Sequence, residues 1–276
     1  MFKDTLIVKN SKAVMAEAIQ RKKVVVIGAA GNLGRRLVAR GLAHGHEVTA
    51  FVRNASRFAE HWPGILPEHV RVVEGDVFDE QAMASAVMGC DALVNAAGHV
   101  ADGAMFVSLF ENVVAAAEQH MGPSSRIWLL AGAAVLTVPH TDRIGVSLPG
   151  VPGMYKTHET NWRRLQASSC DWSLMCPGPM VAAAGGLPRS DLRISVEMLP
   201  YRVGSWARWA PPVALSLMMK SKLSELIVSY EDVAEIIMTN LVPNARFSRR
   251  RVGVALPVNE RGRKENWTLG EKGPTG

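Results

Sequence analysis

A doubly wound α/β fold built on a parallel sheet is predicted by three features of the sequence. Apolar runs typical of buried strands alternate with amphipathic helical segments every ~20–30 residues. The first apolar run, residues 24–27, leads through a glycine-rich turn directly into a helical pattern. The 276-residue chain is 48% hydrophobic and 20% charged, which favours one large domain over two independent units.

The glycine-rich turn has the spacing Gly28-x-x-Gly31-x-x-Gly34. The first glycine allows a sharp turn, the second a close approach to a pyrophosphate, and the third close packing of the helix on the strand. The start of the helix then offers N–H groups and a partial positive charge to an anion. An ordinary strand-to-helix turn is the alternative, but the strand and helix on its two sides favour a dinucleotide site. The residues expected to contact the dinucleotide here are Gly28, Ala30, Gly31, Asn32, Leu33 and Gly34.

The end of the second predicted strand, residues 47–53, indicates which dinucleotide binds. NAD-binding folds usually carry an acidic residue about 20 residues beyond the glycines, where it bonds the ribose 2′-hydroxyl, whereas an arginine accommodates a 2′-phosphate. Here the residue is Arg53. The sequence therefore predicts NADP(H) rather than NAD(H), and the alternative is that Arg53 is only a surface charge.

Further cofactor contacts are expected where the third and fourth strands end. Asp76 and Val77 follow the third strand at the expected place of the adenine ring. The fourth strand ends in Ala96, Ala97 and Gly98, whose small size permits close approach to the ribose or nicotinamide. The remaining elements predicted for this half of the chain are helices over 79–88 and 105–120 and a fifth strand over 126–131.

Five motifs together resemble the atypical short-chain dehydrogenase/reductase superfamily, in its NAD(P)H-binding, NmrA-like branch that includes flavin reductases. The motifs are the glycine turn, Val52-Arg53-Asn54, Glu74-Gly75-Asp76-Val77, Val94-Asn95-Ala-Ala-Gly98 and Asp171-Trp-Ser-x-x-x-Pro177-Gly178. The resemblance spans residues 22–180. It implies a Rossmann fold and places Pro177 beside the cofactor.

The chain departs from this superfamily at its catalytic positions. Many members carry a Ser after the fifth strand and a Tyr-x-x-x-Lys on the next helix, where the tyrosine transfers a proton. Here Gly132 and its neighbours lack a hydroxyl, Met154 occupies the tyrosine position and His158 the lysine position. Tyr155 shares a helix face with His158. His158 and Tyr155 are therefore the candidate catalytic residues, with His158 expected to titrate near neutrality as a proton relay or ribose contact. The alternative is a half-buried structural histidine.

These departures leave three functions open. The first is an NADPH-dependent oxidoreductase that reduces a bulky conjugated or aromatic molecule such as a quinone, flavin, enone or ketone, with proximity supplying much of the acceleration. The second is a non-catalytic, NADP-sensing NmrA-like regulator, which the missing residues favour. The third is a redox-neutral isomerase or cyclase on the same scaffold.

The segment 180–225 is expected to form a small, discontinuous substrate-binding portion. It is rich in methionine and tryptophan, which suit a bulky flat ligand. The predicted pocket residues are Met198, Tyr201, Trp206 and Trp209. A lid, a subunit interface and a membrane-surface patch remain alternatives. A strand and a helix capped by Ser229 follow over 226–237, and a late strand over 250–256.

Composition and charge restrict the class of protein. The formal charge is +6, and its densest basic run, residues 246–251, is expected to be a solvated tail rather than a nucleic-acid site. The three cysteines have no metal-ligand spacing, so no metal site is expected, and a reduced, cytoplasmic protein is predicted. Neither a membrane span nor a secretory signal is recognised.

The expected organisation is an extension over 1–21, an NAD(P)-binding Rossmann domain over 22–258 and a loose tail over 259–276. A small-molecule substrate is the expected partner, and the chain is expected to be a monomer or homodimer.

Overall fold

A computed structural model describes residues 20–62 and 69–263. The strands in these ranges are β1 (Lys23–Ile27), β2 (Glu47–Val52), β3 (Val70–Glu74), β4 (Ala92–Asn95), β5 (Arg126–Leu130), β6 (Asp171–Cys176), β7 (Met180–Val181), β8 (Arg193–Val196), β9 (Val228–Ser229) and β10 (Arg250–Ala255). The helices are α1 (Asn32–Ala43), α2 (Ala55–Ala59), α3 (Glu80–Val87), α4 (Ala104–His120), α5 (Lys156–Gln166), α6 (Pro212–Ser221) and α7 (Tyr230–Met238).

The main sheet has the strand order β3-β2-β1-β4-β5-β6-β10-β8. Every neighbouring pair is parallel except β10 and β8, which are antiparallel. The predicted doubly wound fold is therefore confirmed, with an antiparallel strand at one edge. The strand order reverses between β1 and β4, and such a point opens a ligand crevice at the carboxyl ends of the strands.

Helices pack on both faces of the sheet because successive side chains of a buried strand point to opposite sides. In β1, Val25 and Ile27 join the core formed with α3, α4 and α5, whereas Val24 and Val26 join the core formed with α1 and α7. All four side chains are fully buried. The unbroken apolar run in the sequence is thus explained by burial on two faces.

The return of the chain to the main sheet follows the prediction. Ser229 ends β9 and caps α7: its hydroxyl accepts a hydrogen bond from the backbone N–H of Asp232, whose carboxylate accepts one from the N–H of Ser229. This reciprocal capping box satisfies two N–H groups that would otherwise lack helical partners. The predicted late strand is β10.

The expectation that residues 246–251 form a solvated tail is wrong. Strand β10 lies between β6 and β8, and the side chain of Arg251 is buried. Its guanidinium donates to the carboxylate of Glu197 at 2.7 Å and to the carbonyl of Val135, and its carbon lies 3.9 Å from the ring centre of Trp162. The arginine is therefore part of the protein interior, where a paired charge and a stacking surface replace its hydration.

Several expectations concern residues that are not described. The extension over 1–21 lies outside the described residues up to position 19, and the tail over 259–276 lies outside them from position 264. Within the described ranges, none of the helices combines the length and the apolar character that crossing a bilayer requires. The same ranges contain no group of three or more His, Cys, Asp or Glu side chains placed to hold a metal ion.

Candidate cofactor and active site

The glycine turn between β1 and α1 is closed so tightly that side chains are excluded. Gly28 has a φ of +78°, and a Cβ added there would lie 2.9 Å from the backbone of Ala97. A Cβ on Gly34 would lie only 2.1 Å from the carbonyl oxygen of Gly28. The N–H of Gly31 donates to that same carbonyl at 3.0 Å. The turn therefore needs glycine at its first and third positions to bring the start of α1 against the end of β1.

The start of α1 presents its backbone without a side-chain cap. Gly31 is the N-cap residue, and the first turn contains no acidic residue. Among the described residues, no side-chain cap accepts a hydrogen bond from this turn. An anion at this position would meet the first N–H groups and the positive end of the helix dipole. In sequence these N–H groups belong to Asn32, Leu33 and Gly34, as the glycine spacing predicts.

The end of β2 brings one basic and one acidic side chain near the expected ribose position. Arg53 is exposed directly after β2, and Asn54 caps α2 by accepting a hydrogen bond from the N–H of Arg57 at 2.8 Å. The carboxylate of Glu74, at the end of β3, accepts a hydrogen bond from the N–H of Ala55 at 2.7 Å. Sequence reasoning missed Glu74 as a site residue, because only the pairing of β2 with β3 places it beside this loop.

The ends of β3 and β4 supply the other expected cofactor contacts. Asp76 accepts a hydrogen bond from the N–H of Phe78 at 2.9 Å, which shapes the loop after β3, and Val77 is buried. At the end of β4, the buried Asn95 accepts a hydrogen bond from the N–H of Ala97 at 3.0 Å. Gly98 has a φ of +96° and lies against the ring of Phe106, where a Cβ would be 2.6 Å away.

The carboxyl edge of the sheet is completed by β5 and β6. The carbonyl of Pro177, directly after β6, accepts a hydrogen bond from the N–H of Ala133 at 2.8 Å, and this bond joins the loops that follow the two strands. Ala96, Ala97 and Pro177 therefore belong to the same sheet edge as the glycine turn. The positions predicted to contact the cofactor therefore lie on one surface. Their contacts with a cofactor stay a proposal.

A cleft of about 490 Å³ lies at the opposite end of the sheet and does not belong to this site. Its lining includes Lys23, Thr49 and Arg71, and it adjoins the amino-terminal ends of β1, β2 and β3. Ligands of doubly wound folds bind beyond the carboxyl ends of the strands. The glycine turn is at that carboxyl end.

His158 is buried at the candidate catalytic position, with 8% of its surface exposed. Atoms Nε2 and Cδ2 of its ring lie 3.3 Å from the point that a Cβ on Gly132 would occupy. The ring stacks on Tyr155, with 6.1 Å between ring centres, and meets Phe106 edge to face at 5.4 Å. The two side chains lie together as their spacing predicts, and a catalytic role for either stays a prediction. The room beside the His158 ring exists because residue 132 has no side chain.

The protonation of His158 differs from the sequence expectation. Desolvation by burial lowers the pKa of His158 to about 4, and its Nδ1 atom has no hydrogen-bond partner among the described residues. The ring is therefore neutral at pH 7, and the expectation that it titrates near neutrality is wrong. A neutral imidazole can hold a hydrogen bond to a ligand, but it carries no surplus proton to transfer.

We expect the His158→Gln variant to lose part of the acid sensitivity of the fold. The unfolded chain takes up a proton near the ordinary histidine pKa of 6.5, whereas folded His158 does so only near 4. Stability of the wild type therefore falls as the pH drops from 6.5 to 4, by at most about 3 kcal/mol from this residue. Urea unfolding at several pH values should show a shallower loss for the variant in that window.

The exposed His61 offers a matched control for this measurement. The His61→Gln variant should keep the wild-type dependence of unfolding free energy on pH. Equal slopes for the wild type and the His158→Gln variant between pH 6.5 and 4 would contradict the burial of a neutral ring.

The four predicted substrate-pocket residues lie in different environments. Tyr201 is buried in the core, its hydroxyl has no hydrogen-bond partner among the described residues, and burial raises its pKa. Met198 is half-buried and bridges to Thr137 beyond the end of β5. Trp206 and Trp209 lie on the surface, with 53% and 83% of their area exposed. The structure thus does not enclose the two tryptophans with Tyr201 in one cavity.

The comparison with protein families covers the glycine turn and the strands that follow it. A family described as NAD(P)H-binding matches residues 28–192. The chain belongs to this NAD(P)H-binding family. The resemblance read from the glycine turn and the four other motifs is thereby confirmed at the level of an NAD(P)H-binding family. The family assigns the class of cofactor and leaves the choice between NAD and NADP open.

Individual proteins are similar to parts or most of the chain. The uncharacterised protein YwnB of Bacillus subtilis is 29% identical in an alignment 178 residues long, which covers 59% of this chain and 75% of YwnB. The 3-diazoavenalumate denitrifying reductase of a Streptomyces species is 45% identical over 65 residues, which are 24% of this chain and 19% of that protein. A wide-type short-chain dehydrogenase/reductase of Veillonella parvula, solved in complex with NADP, superposes with a TM-score of 0.62 at 17% identity, over 87% of this chain and 96% of that one.

Proposed function

We propose that this family member is an NADPH-dependent reductase of a bulky conjugated or aromatic small molecule, such as a quinone, a flavin or an enone. The observation that carries the proposal is the pairing of Gly132 with a buried, neutral His158 at the catalytic position. A phosphate-binding turn lies at the same sheet edge, but the superfamily's serine and tyrosine are absent. Such a site suits acceptors that need orientation more than a strong protein acid.

The roles of the residues follow from this arrangement. The turn from Gly28 to Gly34 would hold the pyrophosphate of the dinucleotide against the start of α1. When bound, NADPH supplies a hydride, so that two electrons and one proton pass to the acceptor. The second proton of the reduction would come from water, because a neutral His158 has none to give. The ring can instead accept or donate one hydrogen bond that orients the ribose or the substrate.

The choice of NADPH over NADH is part of the proposal. Arg53 is exposed directly after β2, where its guanidinium can pair with a 2′-phosphate. The V. parvula relative holds NADP.

Residues 22–258 would then form the cofactor-binding domain, with 180–225 as its substrate-binding portion. We place the protein in a reducing compartment, the cytoplasm, because its described cysteines Cys90, Cys170 and Cys176 are free thiols.

Reductase activity is tested by following NADPH absorbance after adding a flavin, a quinone or an enone under anaerobic conditions. We expect NADPH oxidation to match reduced acceptor one to one, with an unconjugated ketone reacting far more slowly because its reduction needs a proton donor. A chain that binds NADPH and oxidises none of it with any acceptor would contradict the proposal. Product formation without a change in NADPH absorbance would also contradict it and would indicate an isomerase or cyclase.

A regulator that senses NADP is the second candidate, and the missing serine and tyrosine favour it. Such a protein would bind the dinucleotide through the same turn and release it unchanged. NADPH binding that alters the capture of a partner protein, in a chain without turnover, would support this function in place of the reductase.

A further inference from the structure

Five large apolar side chains are exposed within one short segment of the chain. They are Trp206, Trp209, Val213, Leu217 and Leu223, whose exposed fractions run from 47% for Leu223 to 83% for Trp209. Scattered apolar side chains on a surface are ordinary, but five within eighteen consecutive positions need an explanation. This set is called the tryptophan patch below.

The geometry of the backbone directs these side chains outward together. Trp206 and Trp209 belong to a 3₁₀ turn, Ser205–Trp209, in which residues three apart project from the same side. Val213 and Leu217 are four apart on α6, and Lys220 follows three residues later on the same face. Each of these two elements therefore presents a pair of large apolar side chains on one of its sides, and Leu223 follows shortly after α6.

The opposite face of the same segment is fixed to the protein. Ala207 and Leu215 are buried in the core, and the hydroxyl of Ser216 donates to the carbonyl of Pro149. The segment therefore presents its outer face from a packed base, and the exposure of the tryptophans is not a consequence of loose packing.

The segment of sequence that carries the patch is basic. Residues 198–224 contain no Asp or Glu, and their basic residues are Arg202, Arg208, Lys220 and Lys222. The guanidinium carbon of Arg208 lies 5.4 Å from the ring centre of Trp209, and Lys222 pairs with Glu225 at 2.7 Å. Arg202 and Lys220 are exposed. An occupant of this surface should therefore be anionic where it meets the basic residues and apolar where it meets the tryptophan patch.

We propose that the tryptophan patch docks the protein on the surface of an anionic lipid bilayer. Tryptophan is enriched at the boundary between headgroups and acyl chains, because its ring is apolar and its N–H is polar. Basic side chains at that level are attracted to anionic headgroups, and a short helix with an apolar face can lie in the interface. Trp209 is 83% exposed, so its ring is free to insert into the boundary layer of a bilayer. This inference does not depend on the proposed reductase activity.

The test is flotation of the full chain with vesicles of phosphatidylcholine alone or mixed with phosphatidylglycerol. We expect binding to the anionic vesicles, weakening as salt is raised, and little binding to phosphatidylcholine alone. A Trp206→Ser/Trp209→Ser variant and an Arg202→Glu/Lys220→Glu variant should each bind anionic vesicles at least about tenfold more weakly. Brominated lipid should quench fluorescence of the wild type more than that of a Trp206→Phe/Trp209→Phe variant, which is the more conservative change.

Matched controls lie elsewhere on the surface. Met88→Ser removes an apolar side chain that is 63% exposed, and Arg250→Glu reverses an exposed charge on β10, so both should bind as the wild type does. Equal binding by the patch variants and the controls would overturn the proposal, as would failure of the folded chain to bind anionic vesicles at low salt. Self-association that is lost in the Trp206→Ser/Trp209→Ser variant, without vesicle binding, would assign the patch to a second copy of the chain instead.

Discussion

Replacing Gly34 with alanine is expected to raise the dissociation constant for NADPH on the order of a hundredfold, because hydrogen bonds to charged groups contribute roughly 1.5–3 kcal/mol each. The added Cβ would lie 2.1 Å from the carbonyl oxygen of Gly28 and 2.8 Å from the Cα of Ala29, so backbone rather than a side chain must move. Helix α1 would shift away from the end of β1. The N–H groups at its start would then no longer converge on the pyrophosphate.

Isothermal titration calorimetry with NADPH measures this effect, and Gly41→Ala is the matched control. It makes the same change in the same helix, where the new Cβ meets a side-chain methyl of Val48 at 3.0 Å instead of the glycine turn. Both variants gain the helix propensity of alanine, so only the contact differs. A Gly34→Ala protein that is folded and binds NADPH as tightly as the wild type would contradict the assigned role of the turn.

The Arg53→Glu variant is expected to invert the preference between the two dinucleotides. Loss of a charge-assisted bond to the 2′-phosphate, together with repulsion by the new carboxylate, should weaken NADPH binding on the order of a hundredfold. Binding of NADH, which has a 2′-hydroxyl there, should change only a few-fold or improve, since a carboxylate can accept a bond from that hydroxyl. Glu74, which already bonds the N–H of Ala55, would then add to an acidic ribose site.

The ratio of the NADPH and NADH dissociation constants is the quantity to compare between proteins. Arg71→Glu gives the control: it reverses an exposed charge on β3 that bonds Ser85 and lines the cleft at the other end of the sheet. Its ratio should equal that of the wild type. An Arg53→Glu protein that still prefers NADPH as strongly as the wild type would show that Arg53 is only a surface charge.

The fold could be predicted because its signals are local. The apolar run of β1, the glycine spacing and the pairing of Ser229 with Asp232 each lie within a few residues of the structure they determine. The burial of Arg251 has no such signal. Its partner Glu197 is 54 positions away, and its stacking partner Trp162 belongs to another element. The sequence around Arg251 therefore does not show whether its side chain is buried or solvated.

The candidate site was likewise predictable only where its signals are local in the sequence. The glycine turn and Arg53 could be placed from the sequence, because strand ends meet at one edge of a parallel sheet. The environment of His158 could not, since its pKa depends on burial, and Gly132 and Phe106 reach the ring from other parts of the chain. The same applies to the tryptophans of the predicted pocket, whose direction is fixed by the packing of Ala207 and Leu215 on the opposite face.

Calorimetric titration of the wild-type chain with NADPH and with NADH tests the central claim most directly. Binding of one dinucleotide per chain, with NADPH the tighter of the two, is the predicted result. A folded protein that binds neither dinucleotide would contradict it.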